Sequence, residues 1–198
     1  ADCLPTRAST PQDILILKPF LSHISSEFNA VVYAVEYTGY GPTRYMTPSM
    51  ARAYRDVMVA SEHLARAETL PRVVWGRSMG CAPAMRAVAT HGLSSVAIME
   101  SAFLSPLMTV LPLHLPFETM FENIEEVENV PQHVAMLFIH GVKDKVVPFW
   151  HGERLFQLCR SRHKDLLDVP EGTHNNLHSA FNRPLVERAL HDAIDRVA

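Results

Sequence analysis

Short apolar runs alternate with segments of helical periodicity through most of this 198-residue chain. Such runs favour buried strands, whereas an apolar residue at every third or fourth position favours an amphipathic helix. The predicted strands span residues 29–37, 72–75, 95–99, 134–139 and 166–169. The predicted helices span residues 48–68, 150–159 and 184–197, with another directly after Ser78. This alternation predicts one α/β domain, residues 1–198, with a mostly parallel sheet and helices on both of its faces.

The composition argues against several classes of protein. The chain carries 18 basic and 21 acidic residues, so no nucleic-acid partner is indicated. Its three cysteines are an odd number at scattered positions, which argues against a disulfide framework and favours a reducing compartment such as the cytoplasm. The nearest candidate for a membrane span, residues 101–117, is broken by Pro106, Pro112 and Pro116. We therefore expect no transmembrane span.

The first part of the chain has two interpretations. Residues 14–28 carry apolar side chains at helical spacing and predict a first helix, although Pro19 weakens that pattern. A strand over residues 13–17 is the alternative.

A pentapeptide of the form Gly-x-Ser-x-Gly occupies residues 76–80, directly after a predicted strand and before a predicted helix. In a nucleophile elbow, a serine stands at the tip of such a strand–turn–helix, with its hydroxyl clear of the sheet. Glycines flank it because strand and helix pass close together there. The position favours Ser78 as a nucleophile over a chance match of the pattern.

Two further polar residues come after later strands of the predicted sheet. Asp144 comes after the strand at 134–139, and His174 comes after the strand at 166–169. Ligand sites of parallel sheets form where strands end at their carboxyl edge. A serine needs a histidine to take its proton, and the histidine needs a carboxylate to orient it and to stabilise its charged form. The order Ser78, Asp144, His174 therefore predicts a catalytic triad in the chain order of α/β-hydrolases.

Other residues compete for these roles. Glu100 also ends a predicted strand and is an alternative acid, and His178 is an alternative base. His140 comes after the nucleophile in the chain, so we interpret it as a structural part of the loop that carries Asp144. Cys81 lies just after the elbow and is interpreted as a packed core residue and not as a second nucleophile.

Several segments resemble known enzymes. The acid loop reads His140-Gly141-x-x-Asp144-x-Val146-Val147-Pro148, the histidine loop reads Glu171-Gly172-Thr173-His174, and an earlier strand ends in Tyr37-Thr38-Gly39-Tyr40-Gly41. Together with the segment 97–103 and the elbow, these motifs resemble the α/β-hydrolase-domain serine hydrolases, and most closely the subgroup related to enzymes that remove palmitate from protein cysteines. The resemblance runs from about residue 29 to the C-terminus and implies an α/β-hydrolase fold.

The resemblance also implies an oxyanion pocket made of two backbone N–H groups. The first is that of Met79, the residue after the nucleophile. Members of the family supply the second from a His-Gly-Asn or similar tripeptide after an earlier strand, and no such tripeptide precedes residue 29. We therefore expect an N-terminally incomplete α/β-hydrolase fold that lacks the strand between those at 31–37 and 72–75.

The segment 103–130 lies where such folds insert a lid, and its many apolar side chains suit either a cover for the core or a wall for an acyl chain. The expected function is that of a serine hydrolase that cleaves an acyl ester or thioester, including those of acylated proteins, without a metal or cofactor. The alternative is an α/β-hydrolase-like binding protein with weak or no activity, because the second oxyanion donor is absent. We expect a cytoplasmic location, and peripheral contact with a membrane is compatible with these sequence features.

Overall fold

The computed structural model describes residues 2–3, 12–67, 71–92, 94–109 and 122–196, with side chains from residue 17 onward. Its centre is a six-stranded sheet in which all five neighbouring pairs are parallel. The strands are β1 (Asp2–Cys3), β2 (Tyr33–Ala34), β3 (Val73–Arg77), β4 (Val96–Glu100), β5 (Ala135–Gly141) and β6 (Lys164–Val169). They lie in the order β2-β1-β3-β4-β5-β6.

The described helices connect these strands. They are α1 (Gln12–Glu27), α2 (Met50–Ala67), α3 (Cys81–His91), α4 (Asn123–Glu126), α5 (Trp150–Leu158) and α6 (Arg183–Asp195). Single 3₁₀ turns lie at Gly41–Thr43, Ser78–Gly80, Leu107–Thr109 and Val127–Asn129. Gly92 ends α3 with a φ of 55°, a left-handed conformation that glycine adopts without strain.

The sheet is buried on both faces because its side chains alternate between two apolar clusters. On one face Met99, Met136 and Phe138 pack with residues of α2, α3 and α5. On the other face Ile98 and Leu137 pack with residues of α1 and α6. Strands β4 and β5 are buried along their whole length, which explains why their sequences are nearly continuous apolar runs. The predicted α/β architecture, a parallel sheet with helices on both faces, is confirmed.

The start of the chain differs from expectation in two respects. The sheet position between β2 and β3 is not vacant, since the backbone of Asp2–Cys3 pairs with both of these strands. The predicted absence of a strand at that position is therefore wrong. The helical interpretation of residues 14–28 is correct, and the strand alternative at 13–17 is excluded because those residues lie inside α1.

The predicted strand at residues 29–37 is reduced to Tyr33–Ala34. Among the described strands it pairs with β1, which is two residues long, so the ladder between them extends no further. Strand β3 is longer than predicted and runs to Arg77, because β4 continues beside it as far as Glu100. This extension places Arg77 directly opposite Glu100. Among the described residues, no helix is both long and apolar enough to cross a membrane.

Candidate active site

Ser78 lies at a sharp turn between β3 and α3. Its φ is 49°, a left-handed conformation that costs free energy in a residue with a side chain and that often marks a functional position. Gly76 makes the turn possible, because a Cβ there would lie 2.7 Å from Cα of Cys81. The helix thus passes too close to the strand for any larger residue. This is the geometry of a nucleophile elbow.

Asp144 lies in the loop after β5, where its side chain is fully buried. Its Oδ1 accepts hydrogen bonds from the backbone N–H groups of Val146, at 2.8 Å, and Val147, at 2.9 Å. Burial raises the pKa of this carboxyl, but the hydrogen bond with His174 and those from the two backbone groups outweigh it and leave the pKa below its usual value. Asp144 is therefore ionised at neutral pH.

His174 joins the other two residues. Its Nδ1 lies 2.8 Å from Oδ2 of Asp144, and its Nε2 lies 3.0 Å from Oγ of Ser78. An ionised carboxylate can only accept, so Nδ1 carries the proton and Nε2 is free to accept from the serine hydroxyl. The structure thus brings Ser78, His174 and Asp144 into one hydrogen-bonded chain that can move a proton away from the serine oxygen.

The acid loop and the histidine loop approach each other through two glycines. A Cβ on Gly141 would lie 2.5 Å from the backbone of Gly172, and a Cβ on Gly172 would lie 2.8 Å from Cα of Gly141. The N–H of Lys143 donates to the carbonyl of Gly172 at 2.8 Å and fixes the two loops together. In this arrangement Asp144 and His174 lie within hydrogen-bond distance of each other.

The alternative acid and the alternative base form a pair of their own. Nε2 of His178 lies 2.8 Å from Oε2 of Glu100, whose side chain is only 1% exposed. His140 is buried, and its Nε2 lies 2.9 Å from the carbonyl of Val147 and 3.8 Å from Oδ2 of Asp144. It therefore supports the loop that carries the acid. Cys81 is fully buried, and burial raises the pKa of its thiol well above the usual value.

Sequence reasoning missed two features near the site. Arg77, the second residue of the pentapeptide, contacts both Glu100 and the histidine loop. A cation beside the nucleophile and an acid at the end of the next strand were the available signals. The burial of His151 was also not predicted: its side chain packs against Leu104, whose N–H donates to its Nδ1 at 3.2 Å. Burial and the nearby His140 lower the pKa of His151 to about 4.

The remaining predicted features are only partly described. Met79 comes directly after Ser78 at the elbow and is 41% exposed. Of the predicted lid, residues 110–121 lie outside the described part of the chain. On either side of them the segment is tied together, because Nδ2 of Asn123 donates to the carbonyl of Phe103 at 2.7 Å. The described residues include no cluster of His, Cys, Asp or Glu that could hold a metal ion.

Comparison with known proteins identifies relatives of this chain. The chain is 28% identical over 180 residues to alpha/beta hydrolase domain-containing protein aho-3 of Caenorhabditis elegans, covering 85% of the chain and 52% of that protein. It is 27% identical over 173 residues to human alpha/beta hydrolase domain-containing protein 17B, covering 83% of the chain and 57% of that protein. The chain therefore spans about half the length of these relatives.

Solved structures share the fold at lower sequence identity. One chain from the structural study of the metagenome-derived lipolytic enzymes LipS and LipT matches at a TM-score of 0.73 and 17% identity, with 98% of this chain and 93% of that chain covered. Acylaminoacyl peptidase of Pyrococcus horikoshii matches at a TM-score of 0.64 and 14% identity, with 84% of this chain and 32% of that chain covered. The model of the prolyl oligopeptidase family matches residues 50–188, well over half of the sequence. The chain belongs to the prolyl oligopeptidase family, whose members share the α/β-hydrolase fold.

Proposed function

We propose that this chain is a serine hydrolase that cleaves an acyl ester or thioester through an acyl-enzyme on Ser78. The observation that supports this most is the hydrogen-bonded chain from Ser78 through His174 to the buried Asp144, with distances of 3.0 and 2.8 Å. Hydrogen-bond reach between nucleophile and base, and between base and a third group, is the requirement of nucleophilic catalysis. The hydrolytic class is also that of the family.

The reaction would proceed in two halves. Nε2 of His174 takes the proton of Ser78 while Oγ bonds to the substrate carbonyl carbon, and then donates that proton to the departing alcohol or thiol as its bond to the acyl group breaks. In the second half, His174 takes a proton from water while the water oxygen bonds to the acyl carbon, and then donates that proton to Oγ of Ser78 as the bond between Oγ and the acyl carbon breaks and the carboxylic acid leaves. Asp144 stays ionised and stabilises the imidazolium in both halves. The backbone N–H of Met79 is the proposed donor to the carbonyl oxygen.

We propose a thioester or ester with a long acyl chain, carried by an acylated protein, as the substrate. The resemblance to depalmitoylating enzymes supports this, as do exposed apolar residues close in the chain to the triad: Met79 follows Ser78, Val146 lies two residues after Asp144, and they are 41% and 59% exposed. Exposed apolar side chains beside a site suit an apolar ligand. Such a substrate would bring the protein into peripheral contact with a cytoplasmic membrane surface.

A fluorophosphonate probe tests the hydrolase mechanism, because it reacts covalently with an activated serine. We expect one equivalent to attach to Ser78, labelling to be abolished in Ser78→Ala, and labelling to be retained in Ser26→Ala, a change at an exposed serine of α1. Failure of the folded wild-type protein to react would overturn the proposal and favour a binding protein without activity.

Paired substrates test the acyl specificity. We expect turnover of p-nitrophenyl esters to rise from a two-carbon to a long acyl chain. We also expect a palmitoyl thioester to be cleaved faster than the matching palmitoyl oxygen ester. Equal turnover at all chain lengths, or cleavage of peptide amides alone, would contradict the proposed substrate while leaving the triad mechanism intact.

A further inference from the structure

A second buried network lies behind the histidine loop, and Glu100 is at its centre. Its carboxylate has contacts at both oxygens. Nε of Arg77 forms an ion pair with Oε1 at 2.9 Å, while Nε1 of Trp75 donates to Oε2 at 3.2 Å. His178 contacts the same Oε2 at 2.8 Å. Burial opposes ionisation of this carboxyl, but His178, Arg77 and Trp75 together leave its pKa below the usual value.

The strand register explains why these groups meet. Arg77 and Glu100 are paired residues at the carboxyl ends of β3 and β4, so their side chains are neighbours across the ladder. Both lie where the sheet borders the candidate site. Glu100 is too deeply buried to be left without partners, since an uncompensated charge in the interior is strongly destabilising. A cation next to the nucleophile satisfies this requirement.

The guanidinium of Arg77 also reaches the loop that carries the proposed base. Its Nη2 donates to the backbone carbonyl of His174 and, at 3.1 Å, to Oδ1 of Asn175. Arginine suits this position because its planar fork presents donors in several fixed directions at once. One side chain therefore connects the buried carboxylate to the backbone of His174 itself.

The carboxylate of Glu100 also contacts the histidine loop at His178, four residues after His174. His178 bonds directly to Glu100, and its ring packs against those of Phe20 and Trp75, with centroid distances of 4.6 and 5.6 Å. The segment from His174 to His178 is thus attached at both ends to Glu100, through Arg77 at one end and directly at the other. The carboxylate and the guanidinium can hold the imidazole of His174 at the distance that proton transfer requires.

We infer that Glu100 and Arg77 form a clamp that positions His174 for catalysis, so that both are positioning residues of a reaction in which neither touches the substrate. This inference rests on the proposed hydrolase function. A displacement of about 1 Å in a catalytic group costs on the order of a hundredfold in rate. Loss of the clamp should therefore lower kcat by roughly tenfold to a hundredfold, with KM changed by less than about twofold, because no substrate contact is lost.

The double variant Arg77→Met with Glu100→Gln separates positioning from folding. It removes both charges together and leaves no unpaired ion in the core, so its thermal midpoint should stay close to that of the wild type. Its kcat on a p-nitrophenyl ester should nevertheless stay at the reduced level. Recovery of kcat to the wild-type value in a double variant that folds would overturn the clamp. The matched control is Arg86→Met with Glu126→Gln, an ion pair between α3 and α4, which should leave kcat unchanged.

Arg77→Lys provides a second variant if the double change prevents folding. It keeps a positive charge beside Glu100 but cannot bridge the carboxylate and two acceptors of the histidine loop at once. It should fold and show the same deficit in kcat. Full activity of Arg77→Lys would contradict the clamp, since a charge alone would then suffice.

Amide hydrogen exchange makes the clamp testable without turnover. Residues 171–182 should exchange faster in the double variant than in the wild type, and at the wild-type rate in the Arg86 control. If the wild-type protein does not react with a fluorophosphonate but exchange still rises, the hydrolase proposal fails while the clamp survives as a structural link. Equal exchange in the wild type and the double variant would overturn the clamp whatever the activity.

Discussion

Two carboxylate–histidine pairs lie side by side at the carboxyl edge of this sheet, and their histidines are four residues apart on the same loop. Asp144 pairs with His174, and Glu100 pairs with His178, each at 2.8 Å. Both carboxyl side chains are almost completely buried, and in both the pKa is held below its usual value. Residue types and pair geometry therefore do not distinguish them.

The surroundings of the two imidazoles make the difference. Nε2 of His174 faces Oγ of Ser78 at 3.0 Å, so the Asp144 pair leads to a partly buried hydroxyl on a residue with a left-handed backbone. In His178 it is Nε2 itself that bonds to the carboxylate, and aromatic rings lie against the imidazole. The Asp144–His174 pair therefore has a nitrogen available for proton transfer to the serine, whereas the Glu100–His178 pair holds the loop in place.

The largest difference between the two pairs is expected in turnover when each histidine is replaced by glutamine. His174→Gln should reduce turnover by a factor on the order of 10⁶, because removal of the base disables the serine. His178→Gln keeps an N–H that can donate to Glu100 and should cost less than about tenfold. Steady-state kinetics on a p-nitrophenyl ester measures both. Similar losses in the two variants would show that the pairs do not differ in role.

The two acids should differ in the kind of damage that their replacement causes. Asp144→Asn should lower kcat by about 10⁴ because an amide favours the wrong tautomer of His174. Glu100→Gln removes the buried carboxylate that forms an ion pair with Arg77 and should destabilise the fold by up to about 3–5 kcal/mol. Urea unfolding and kinetics, performed on both variants, separate the two effects. A stable Glu100→Gln protein with full activity would refute the difference.

The free energy of unfolding should depend on pH because of His151, a buried histidine that comes after the loop that carries Asp144. Burial lowers the pKa of His151 from 6.5 to about 4. Between these values the unfolded chain binds a proton that the folded protein does not, so stability is complete above pH 6.5 and is lost as the pH falls towards 4. The loss should be about 1.4 kcal/mol per pH unit for this group.

His151→Asn provides the matched variant for this measurement, because its side-chain oxygen can accept the N–H of Leu104 in place of Nδ1. Urea unfolding at about pH 7, 6 and 5 should show a shallower decline than in the wild type. His140, whose pKa burial also lowers, remains in both proteins, so a decline that is shallower, and not absent, is expected in the variant. An identical pH slope in wild type and variant would contradict the prediction.

The smallest effect is expected at the exposed edge of the same loops. Lys143 and Glu171 form an ion pair between the acid loop and the histidine loop, with side chains 55% and 53% exposed. Water screens such pairs, so Lys143→Ala should change stability by less than about 1 kcal/mol and leave turnover unchanged. A larger loss would mean that the surface pair, and not the glycine contact beneath it, holds the two loops together.

Much of the fold could be predicted from local patterns. Most predicted elements lie within a few residues of their positions in the structure: strands β3, β4, β5 and β6 and helices α2, α3, α5 and α6. Each of them has a strong apolar periodicity, and each pairs with a neighbouring strand or packs in the core along most of its length. The second strand was overpredicted because its length depends on the neighbour β1 and not on its own apolar run. Asp2–Cys3 could not be recognised as a strand, since two residues carry no periodicity.

The candidate site shows the same division. Ser78, Asp144 and His174 could be selected from the sequence because a parallel sheet brings the residues after each strand to one edge, and the chain order then narrows the roles. The pairing of Glu100 with His178, and the link through Arg77, could not be predicted, because they depend on how far β3 and β4 extend beside each other.

The α/β class, the elbow around Ser78 and the residues that come to the carboxyl edge could be recognised in the sequence, because they depend on periodicity, glycine positions and chain order. Which carboxylate meets which histidine depends on the packing of the folded chain. Asp144 and Glu100 both lie at the ends of buried strands, but Gly141 brings the acid loop against Gly172, whereas Glu100 lies opposite Arg77 and beneath His178. Whether a carboxylate and a histidine form a pair depends on differences of a few ångströms between loops that are far apart in the chain, and packing sets the distances between these loops.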